Sequence, residues 1–586
     1  MINSNPSPAT RRYSNISNEK SGGVTYTPKI LADFVADQIV STLGVREKSK
    51  VVRVLEPSVG HGELLNSLLH KLKAAGYVKV TVVACETDSD SLRITRDLIT
   101  YKYPDCSLEL INSSFLDYVA DNFGSVSVQK DIFDMSESDK FDIIIANPPY
   151  VRTQVLGAKE ARGLSQSFDL SGRVDLYYAF LLAMSLTLSP DGVAGIIVSN
   201  RFMTTKSGGV VRKEILQRYN VRHVWDMGDT RFFKAAVLPA VLLLEGVGKP
   251  KETTLFTSIY ECVETPAKSV ADLIEALKED GVVEVRGDGR SFKVTQGILS
   301  QESGSNDVWR LATESQDEWL KQVRERTWGS FKNIGKIRVG VKSCADKVFI
   351  RNNWDSVMGG PRPELLRPLI THKVARRFKS LEHETETQIL YPHISINGKR
   401  SVYNIDNYPV SKAYFEKYRT QLENRTYLIE AGRQWYELWV PQDPGLWEQP
   451  KLVFRDISEK PTFWMDLDGS VVNGDCYWMV ADTEECVDLL WLACAIANST
   501  FIEEFYDNSF NNKLYSGRRR FITQYVEKFP LPDPELSSSR KIIELAKEIY
   551  ESTPSDKADA LQIQLDDLVS MALLGAPNKN SSGEKI

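Results

Sequence analysis

The chain has 586 residues, 42% of them apolar and 26% charged, with a net charge of −6 at pH 7. This composition excludes a largely disordered chain, leaves room for several domains, and contains nothing near the roughly 20 consecutive apolar residues of a membrane span. The acidic balance excludes a globally basic nucleic-acid coat, so any contact with a polyanion must rest on local positive patches. Seven scattered cysteines without a Cys-x-x-Cys pair, and no charged-then-apolar leader, lead us to expect a reducing cytoplasm, no zinc site and no disulfide framework.

Residues 1–20 are Ser/Asn-rich, carry Arg11 and Arg12, and read as a flexible arm. The segment Gly22-Gly23-Val24-Thr25-Tyr26-Thr27-Pro28 leads into a helical pattern over Ile30 to Leu43. From Val51, strand-like apolar runs (Val51 to Leu55, Val80 to Cys85, Phe141 to Ala146, Val193 to Val198, Val237 to Leu244) alternate with helical stretches. Such alternation predicts an α/β domain with a parallel, doubly wound sheet, spanning residues 21–250.

The first run ends in Val54-Leu55-Glu56-Pro57-Ser58-Val59-Gly60-His61-Gly62. Gly60 and Gly62 allow close backbone approach to a ligand at a strand-to-helix turn. The third glycine of a dinucleotide phosphate loop is missing, and Glu56 stands where a pyrophosphate would be repelled. A carboxylate there suits a cationic, phosphate-free cofactor such as S-adenosylmethionine. Glu86, 24 residues after Gly62, has the spacing of an acid that binds ribose hydroxyls. Phe115, after a third short apolar stretch, is a candidate to stack on the cofactor adenine, whereas His61 reads as a cap or packing residue.

Directly behind the run Phe141 to Ala146 stand Asn147-Pro148-Pro149-Tyr150. The exocyclic nitrogen of adenine is a poor nucleophile because its lone pair is delocalised into the ring. An Asn side-chain oxygen and the carbonyl of Pro148 can each accept one N–H and favour a more tetrahedral nitrogen in the transition state. Prolines stiffen the loop that places both acceptors, and Tyr150 offers an aromatic face to a flipped-out base. The four letters alone also fit a plain Pro-rich turn; the company they keep favours the catalytic reading.

Residues 251–325 are polar and charged with Gly-rich turns, and are expected to be an inter-domain region. Eight of the eleven tryptophans fall between Trp309 and Trp464, interleaved with Arg, Lys and short β-like runs, so residues 326–535 are read as a separate domain. Between Arg326 and Lys347 six cations face one acid. Lys336, Arg338, Lys342 and Lys347, together with Arg518, Arg519 and Arg520, are the candidate DNA-binding cations; Arg376, Arg377 and Arg400 near Asn397 add further ones. Two amphipathic helices, Arg540 to Ser552 and Asp556 to Leu574, and a polar tail make up residues 536–586.

In order, GGVTYTP, LEPSVGHGELL, Glu86, Ser114-Phe115-Leu116, NPPY and Asp175-Leu176-Tyr177-Tyr178-Ala179-Phe180 resemble the γ-class DNA adenine-N6 methyltransferases of the TaqI type. The similarity covers residues 22 to about 245 at motif level. More thinly, Gly335 to Gly340, Ala345 to Phe349 and Phe529-Pro530-Leu531-Pro532 resemble landmarks of the family's target-recognition domain. The resemblance implies a Rossmann-like S-adenosylmethionine-dependent catalytic domain followed by a mixed α/β recognition domain. It assigns Tyr26, Thr27 and Pro28 to the methionine end of the cofactor, Glu86 to the ribose and Phe115 to the adenine ring. Asn147, Pro148 and Tyr150 become catalytic, with Asn147 also beside the cofactor, and Phe233 falls where a second aromatic helps hold the flipped base. Family members usually carry an acid where this chain has Ser114, which implies weaker cofactor binding unless Asp117 substitutes.

The expected function is therefore sequence-specific methylation of adenine N6 in double-stranded DNA. Absence of any Pro-Cys dipeptide removes the nucleophile of cytosine-C5 enzymes. N4-cytosine methylation shares the chemistry, although Asn rather than Ser at position 147 favours adenine. An RNA or protein-glutamine methyltransferase, or a non-catalytic DNA-specificity subunit, are the other readings. Only about 20 residues precede GGVTYTP, so we expect a stand-alone modification enzyme, monomeric action being compatible with it, and a separate endonuclease acting on the same site.

Overall fold

The computed structural model describes residues 27–44, 47–123, 140–150, 175–233, 238–300, 308–381, 387–483, 486–510 and 518–575. The chain divides into two compact units, Met1–Thr313 and Glu314–Ile586.

The first unit is built on a twelve-stranded sheet. Its strands are β1 (Val52–Glu56), β2 (Val80–Cys85), β3 (Ser107–Ile111), β4 (Phe141–Ala146), β5 (Leu188–Ser199), β6 (Asn220–Asp226), β7 (Pro239–Glu245), β8 (Leu255–Cys262), β9 (Lys268–Val270), β10 (Gly281–Val285), β11 (Arg290–Ser300) and β12 (Arg310–Ala312). They lie in the order β3-β2-β1-β4-β5-β7-β6-β8-β11-β10-β9, with β12 on β11. β3, β2, β1, β4 and β5 are mutually parallel, and β7 runs antiparallel between β5 and β6. Helices α1 (Lys29–Thr42), α2 (Glu63–Ala74), α3 (Ser89–Lys102), α4 (Phe115–Phe123) and α5 (Leu176–Thr187) connect and cover the parallel part.

Alternate residues of the central strands feed two cores, which is why these strands read as continuous apolar runs. Val54, Ile143, Ile145, Val193 and Val241 join α1 and α2 in one core; Leu55, Ile144, Ala194, Ile196 and Leu242 join α4 and α5 in the other. Each fully buried aliphatic side chain contributes about 1.5–3 kcal/mol. α1 seats especially closely over β5: a Cβ at Gly195 would meet side-chain carbons of Val35 and Ile39 at 2.7 Å.

The stretch expected to separate the domains instead carries β8 to β12, which extend this sheet, and the division of the chain falls after Thr313. These strands escape the eye because β11 alternates buried and exposed positions, as a sheet with one wetted face does. β6, with only seven residues and two charges, also lacks a continuous apolar run.

The second unit centres on a five-stranded sheet in the order Arg338–Val339, Cys476–Val480, Lys451–Arg455, Phe463–Asp466, Phe378–Lys379. Leu452, Phe454 and Met479 face helices Val487–Ala497, Thr500–Phe510, Ser537–Ser552 and Asp556–Leu574. The two terminal helices are therefore part of this unit's core. On the other face Val453, Trp464 and Trp478 pack with Trp354, Trp447, Tyr391 and Tyr414. The tryptophan enrichment is thus largely a packing feature. Among the described residues, no helix is long and apolar enough to cross a membrane.

Candidate active site

The C-terminal ends of β1, β2 and β4 bring Glu56, Glu86 and Asn147 to one edge of the parallel sheet, the edge at which open α/β sheets bind ligands. After β1 the chain turns through Gly60 (φ 51°) and Gly62 (φ 79°), left-handed conformations that glycine adopts without a Cβ penalty. Val59 N–H donates to the Cys85 carbonyl (3.0 Å) and Gly62 N–H to the Val59 carbonyl (2.8 Å), stitching the loop to the end of β2 and starting α2. Thr95 on α3 donates to the Gly60 carbonyl at 2.8 Å, and its side chain lies 3.1 Å from where a Cβ of residue 62 would stand. Thr95 was not legible as a loop support, because nothing in a helix sequence marks the residue facing a loop from a different crossover.

Glu86 is held by backbone. Its Oε2 accepts from Gly60 N–H (3.1 Å) and its Oε1 from the N–H groups of Thr87 (2.8 Å) and Asp88 (3.0 Å). The Thr87 hydroxyl also donates to Oε1 at 3.2 Å; these bonds fix the direction of the carboxylate, and the acceptor capacity left for a ligand hydroxyl is on Oε2. Glu56 is only 1% exposed, and its Oε2 has no hydrogen-bond partner. Burial, reinforced by the nearby Glu86 charge, pushes its carboxyl well above the usual carboxylate range. A buried acid with an unpartnered oxygen is costly and fits a cationic ligand that restores its charge.

The catalytic-motif loop is joined to both neighbouring motifs. Ser58 Oγ donates to the Asn147 carbonyl at 3.2 Å, and Asn147 Nδ2 donates to Thr27 Oγ1 at 2.9 Å. The Tyr150 hydroxyl donates to Asn147 Oδ1 at 2.8 Å and approaches the Ile197 carbonyl at 3.2 Å. The amide is thus gripped from both ends, which fixes the direction of Oδ1. The Tyr150 ring, half-buried, meets the edge of Tyr177 (centroids 6.0 Å, 76°), and burial pushes its hydroxyl pKa upward. Tyr177 is 1% exposed at the start of α5, which explains why Asp175 to Phe180 reads as a landmark. Pro148 is buried beside Asn147, and Pro28 precedes α1, its carbonyl accepting from the Leu31 and Ala32 N–H groups (3.0 Å). Tyr26 lies outside the described residues.

Ser114 caps the first turn of α4, its Oγ accepting from Leu116 N–H at 3.2 Å, while Asp117 is exposed. Phe115 is 1% exposed and packs on Phe180 (5.5 Å), so it is a wall of the core. Phe233, 4% exposed, lies in the α1 and α2 core, whereas Tyr150 packs against the opposite one; the two aromatics are not brought together. The segment before Phe233 is clamped. Asp226 takes Gly228 N–H (3.2 Å), Asn200 Nδ2 (2.9 Å) and the Tyr260 hydroxyl (2.7 Å), and Arg290 from β11 donates to the Thr230 carbonyl at 3.1 Å while pairing with Asp288 (2.6 Å) and Glu261 (3.2 Å). The sequence pattern around Arg290 carries no signal of this role.

The seven candidate DNA-binding cations divide. Lys336, Lys342, Lys347 and Arg518 are exposed. Arg338 is half-buried over the Trp478 ring (5.4 Å) and donates to the Lys336 carbonyl (2.8 Å). Arg519 is bidentate to Asp507 (2.8 and 2.8 Å) and donates to the Glu459 carbonyl (2.7 Å). Arg520 is bidentate to Asp456 (3.1 and 3.3 Å). These last two join the short pairing of Arg519–Arg520 with Ile457–Ser458; Arg519 is half-buried and Arg520 exposed, and each has an acidic partner that clustering in sequence does not reveal. Arg377 is similarly engaged with Glu503 (3.2 Å).

The strand order and the acids at the strand ends define a methyltransferase fold using S-adenosylmethionine. Residues 81–233 match the Eco57I restriction-modification methylase family, and residues 390–531 match the TaqI-like C-terminal specificity domain. The chain is 35% identical over 571 residues to the type II methyltransferase M.BanIII of Aneurinibacillus aneurinilyticus, covering 94% of this chain and 97% of that protein. It is 24% identical to the type II methyltransferase M.BstVI of Geobacillus stearothermophilus, covering 88% and 90%. A cryo-EM structure of a DrdV–DNA complex shares the fold, with TM-score 0.53 at 13% identity, covering 92% of this chain and 58% of that one. The chain belongs to the TaqI-like type II DNA methyltransferases of restriction-modification systems.

Proposed function

We propose that this methyltransferase acts on N6 of an adenine flipped out of double-stranded DNA. The observation that carries the reading is the Asn147 amide, fixed between Thr27 and Tyr150 at the C-terminal end of β4. S-adenosylmethionine supplies an electrophilic methyl group on a sulfonium. Glu56 offers its buried carboxylate to the cationic end of that molecule, Glu86 its remaining acceptor positions to ribose hydroxyls, and Thr27 and Pro28 border the methionine end, with Tyr26 expected beside them. Gly60 and Gly62 let the loop backbone approach. Ser114 and Phe115 are assigned to the adenine moiety, Ser114 through its half-buried hydroxyl.

Asn147 Oδ1 and the Pro148 carbonyl accept the two amino hydrogens and draw the nitrogen lone pair out of conjugation. Bound there, S-adenosylmethionine would supply the methyl carbon that this pair attacks, with the sulfur as leaving group, and the surplus proton on nitrogen would pass to water. Tyr150 contributes the stacking face for the extruded base; Phe233, buried in the opposite core, is not part of this site. We assign a cytoplasmic setting, monomeric action and a separate cognate endonuclease as partner.

Incubating the purified protein with labelled S-adenosylmethionine and unmodified bacterial DNA, followed by nucleoside mass spectrometry, tests the reading. N6-methyladenine is expected. N4-methylcytosine would redirect the target, and label confined to RNA or protein would overturn it.

A further inference from the structure

In the second unit, His393–Ile396 and Lys399–Val402 form a two-stranded ribbon that belongs to neither larger sheet. Its turn is Asn397-Gly398, both with positive φ (52° and 69°), the backbone of a tight two-residue hairpin. An isolated ribbon is marginal in water, so its base must be anchored. His393 is 2% exposed, its Nε2 accepts from Leu438 N–H at 3.1 Å, and Tyr403 N–H donates to the Pro392 carbonyl at 3.0 Å. Beyond that anchor, residues 396–400 are all exposed, Ile396 at 51%. The tip therefore projects without burying anything of its own.

Its chemistry is one-sided. In a chain of net charge −6, no acid stands between Thr387 and Ile405, while Lys399 and Arg400 sit at the tip. The surface beside the base adds further cations and an exposed aromatic. Leu438, which holds His393, precedes Trp439, 36% exposed, edge-on to Tyr427 (4.9 Å, 87°) and beneath the Arg433 guanidinium (5.3 Å). Val440 and Lys342 then exchange both backbone hydrogen bonds at 2.9 Å, which brings exposed Lys342 to the same ledge. Arg400 and Arg433 converge on His393, and after burial itself these two charges help drive its imidazole pKa down to about 3.

A solvated ribbon protected against edge pairing would explain lysine and arginine at its tip, but an exposed Ile opposite Lys399 works against that purpose. We infer that the hairpin is a groove-reading ribbon: its tip enters the major groove of duplex DNA, where Asn397 and Arg400 meet base edges, Ile396 packs on an apolar base surface, and Lys399 meets phosphate. The major groove, about 12 Å wide, admits a two-stranded ribbon. Arg433 and Lys342 serve the backbone alongside. This inference rests on the reading of the chain as a DNA methyltransferase.

The test uses the full chain with S-adenosylhomocysteine, a duplex carrying the sequence that the wild-type protein methylates, and a scrambled duplex. Arg400→Ala and Asn397→Gly, the latter keeping the turn, should lose about ten- to hundredfold of the preference for the cognate duplex and methylate sites altered at one base pair. Lys399→Ala should weaken both duplexes alike and lower the salt slope by about one. Melting temperatures should hold, since the tip is exposed. Unchanged preference and affinity, or lost binding that accompanies a fall in melting temperature, would overturn the hairpin's role. Failure of the wild-type protein to label any DNA would instead overturn the functional reading, and is seen without any variant.

Discussion

Glu86 in the first unit and Arg519 in the second are charged side chains of equal prominence in the sequence, and their surroundings differ. Three backbone N–H groups aim the Glu86 carboxylate and leave it acceptor capacity at the edge of the parallel sheet. Arg519 spends its guanidinium on Asp507 and the Glu459 carbonyl and is 13% exposed. A site residue is held by groups that do not neutralise it; a structural ion is held by groups that do. That distinction separates the proposed catalytic edge from Arg519 and Arg520.

The strongest way to break the comparison is at Asn147. Replacing it with Ala should lower kcat by about a thousandfold or more, because its oxygen acts mainly in the transition state. Cofactor and DNA affinity should stay within about a few-fold. Rapid-quench methylation and fluorescence anisotropy measure the two separately, and a parallel collapse of DNA affinity would make Asn147 a binding residue instead.

Arg519→Ala comes next. It strands the Asp507 carboxylate in a partly buried setting and should cost about 2 kcal/mol of stability, read as a lower denaturation midpoint. DNA affinity per folded molecule should change little. Wild-type stability with tenfold weaker binding would return Arg519 to the interface.

The contrast also explains what was legible from sequence. Glu56, Gly60, Gly62, Glu86 and the NPPY segment stand out because a strand end, a tight turn and an acid at the next strand end are fixed by local spacing. Their convergence follows from parallel topology, which the alternating runs imply. The ion pairs of Arg519 and Arg520 are not legible because their partners, Asp507 and Asp456, come from other elements. β8 to β12 are hidden for a related reason: β11, which pairs antiparallel with β8, β10 and β12, alternates buried and exposed positions, so apolar continuity does not announce it. Trp354, Trp447 and Trp464, which fall in the tryptophan-rich stretch, are core.

Glu56 sharpens the comparison through pH. In the cofactor-free protein its carboxyl is raised by burial and by Glu86; a neighbouring positive ligand lowers it again, so binding expels a proton. Affinity for S-adenosylmethionine should therefore rise with pH, by up to about tenfold per unit, while free Glu56 is protonated, and level off once it has ionised. Titration calorimetry in buffers of different ionisation enthalpy should show proton release on the acid side. Glu56→Gln should abolish the dependence; a wild-type affinity flat between about pH 5 and pH 8 would remove Glu56 from the cationic end of the cofactor.

The smallest effects are expected at Lys336 and Lys347, and they test whether exposure separates interface cations from structural ones. Both are exposed, in contrast to Arg519, so each Ala variant should keep its melting temperature. If each neutralises one phosphate, DNA affinity should fall by a few-fold at low salt, the difference should fade as salt is raised, and the slope of log affinity against log salt should drop by about 0.9 per phosphate. Loss must be equal for cognate and scrambled duplexes, because a phosphate contact carries no sequence information. Variants that bind both duplexes as the wild type does, at every salt concentration, would show that exposure alone does not mark the interface and would leave the DNA contacts to other residues of the second unit.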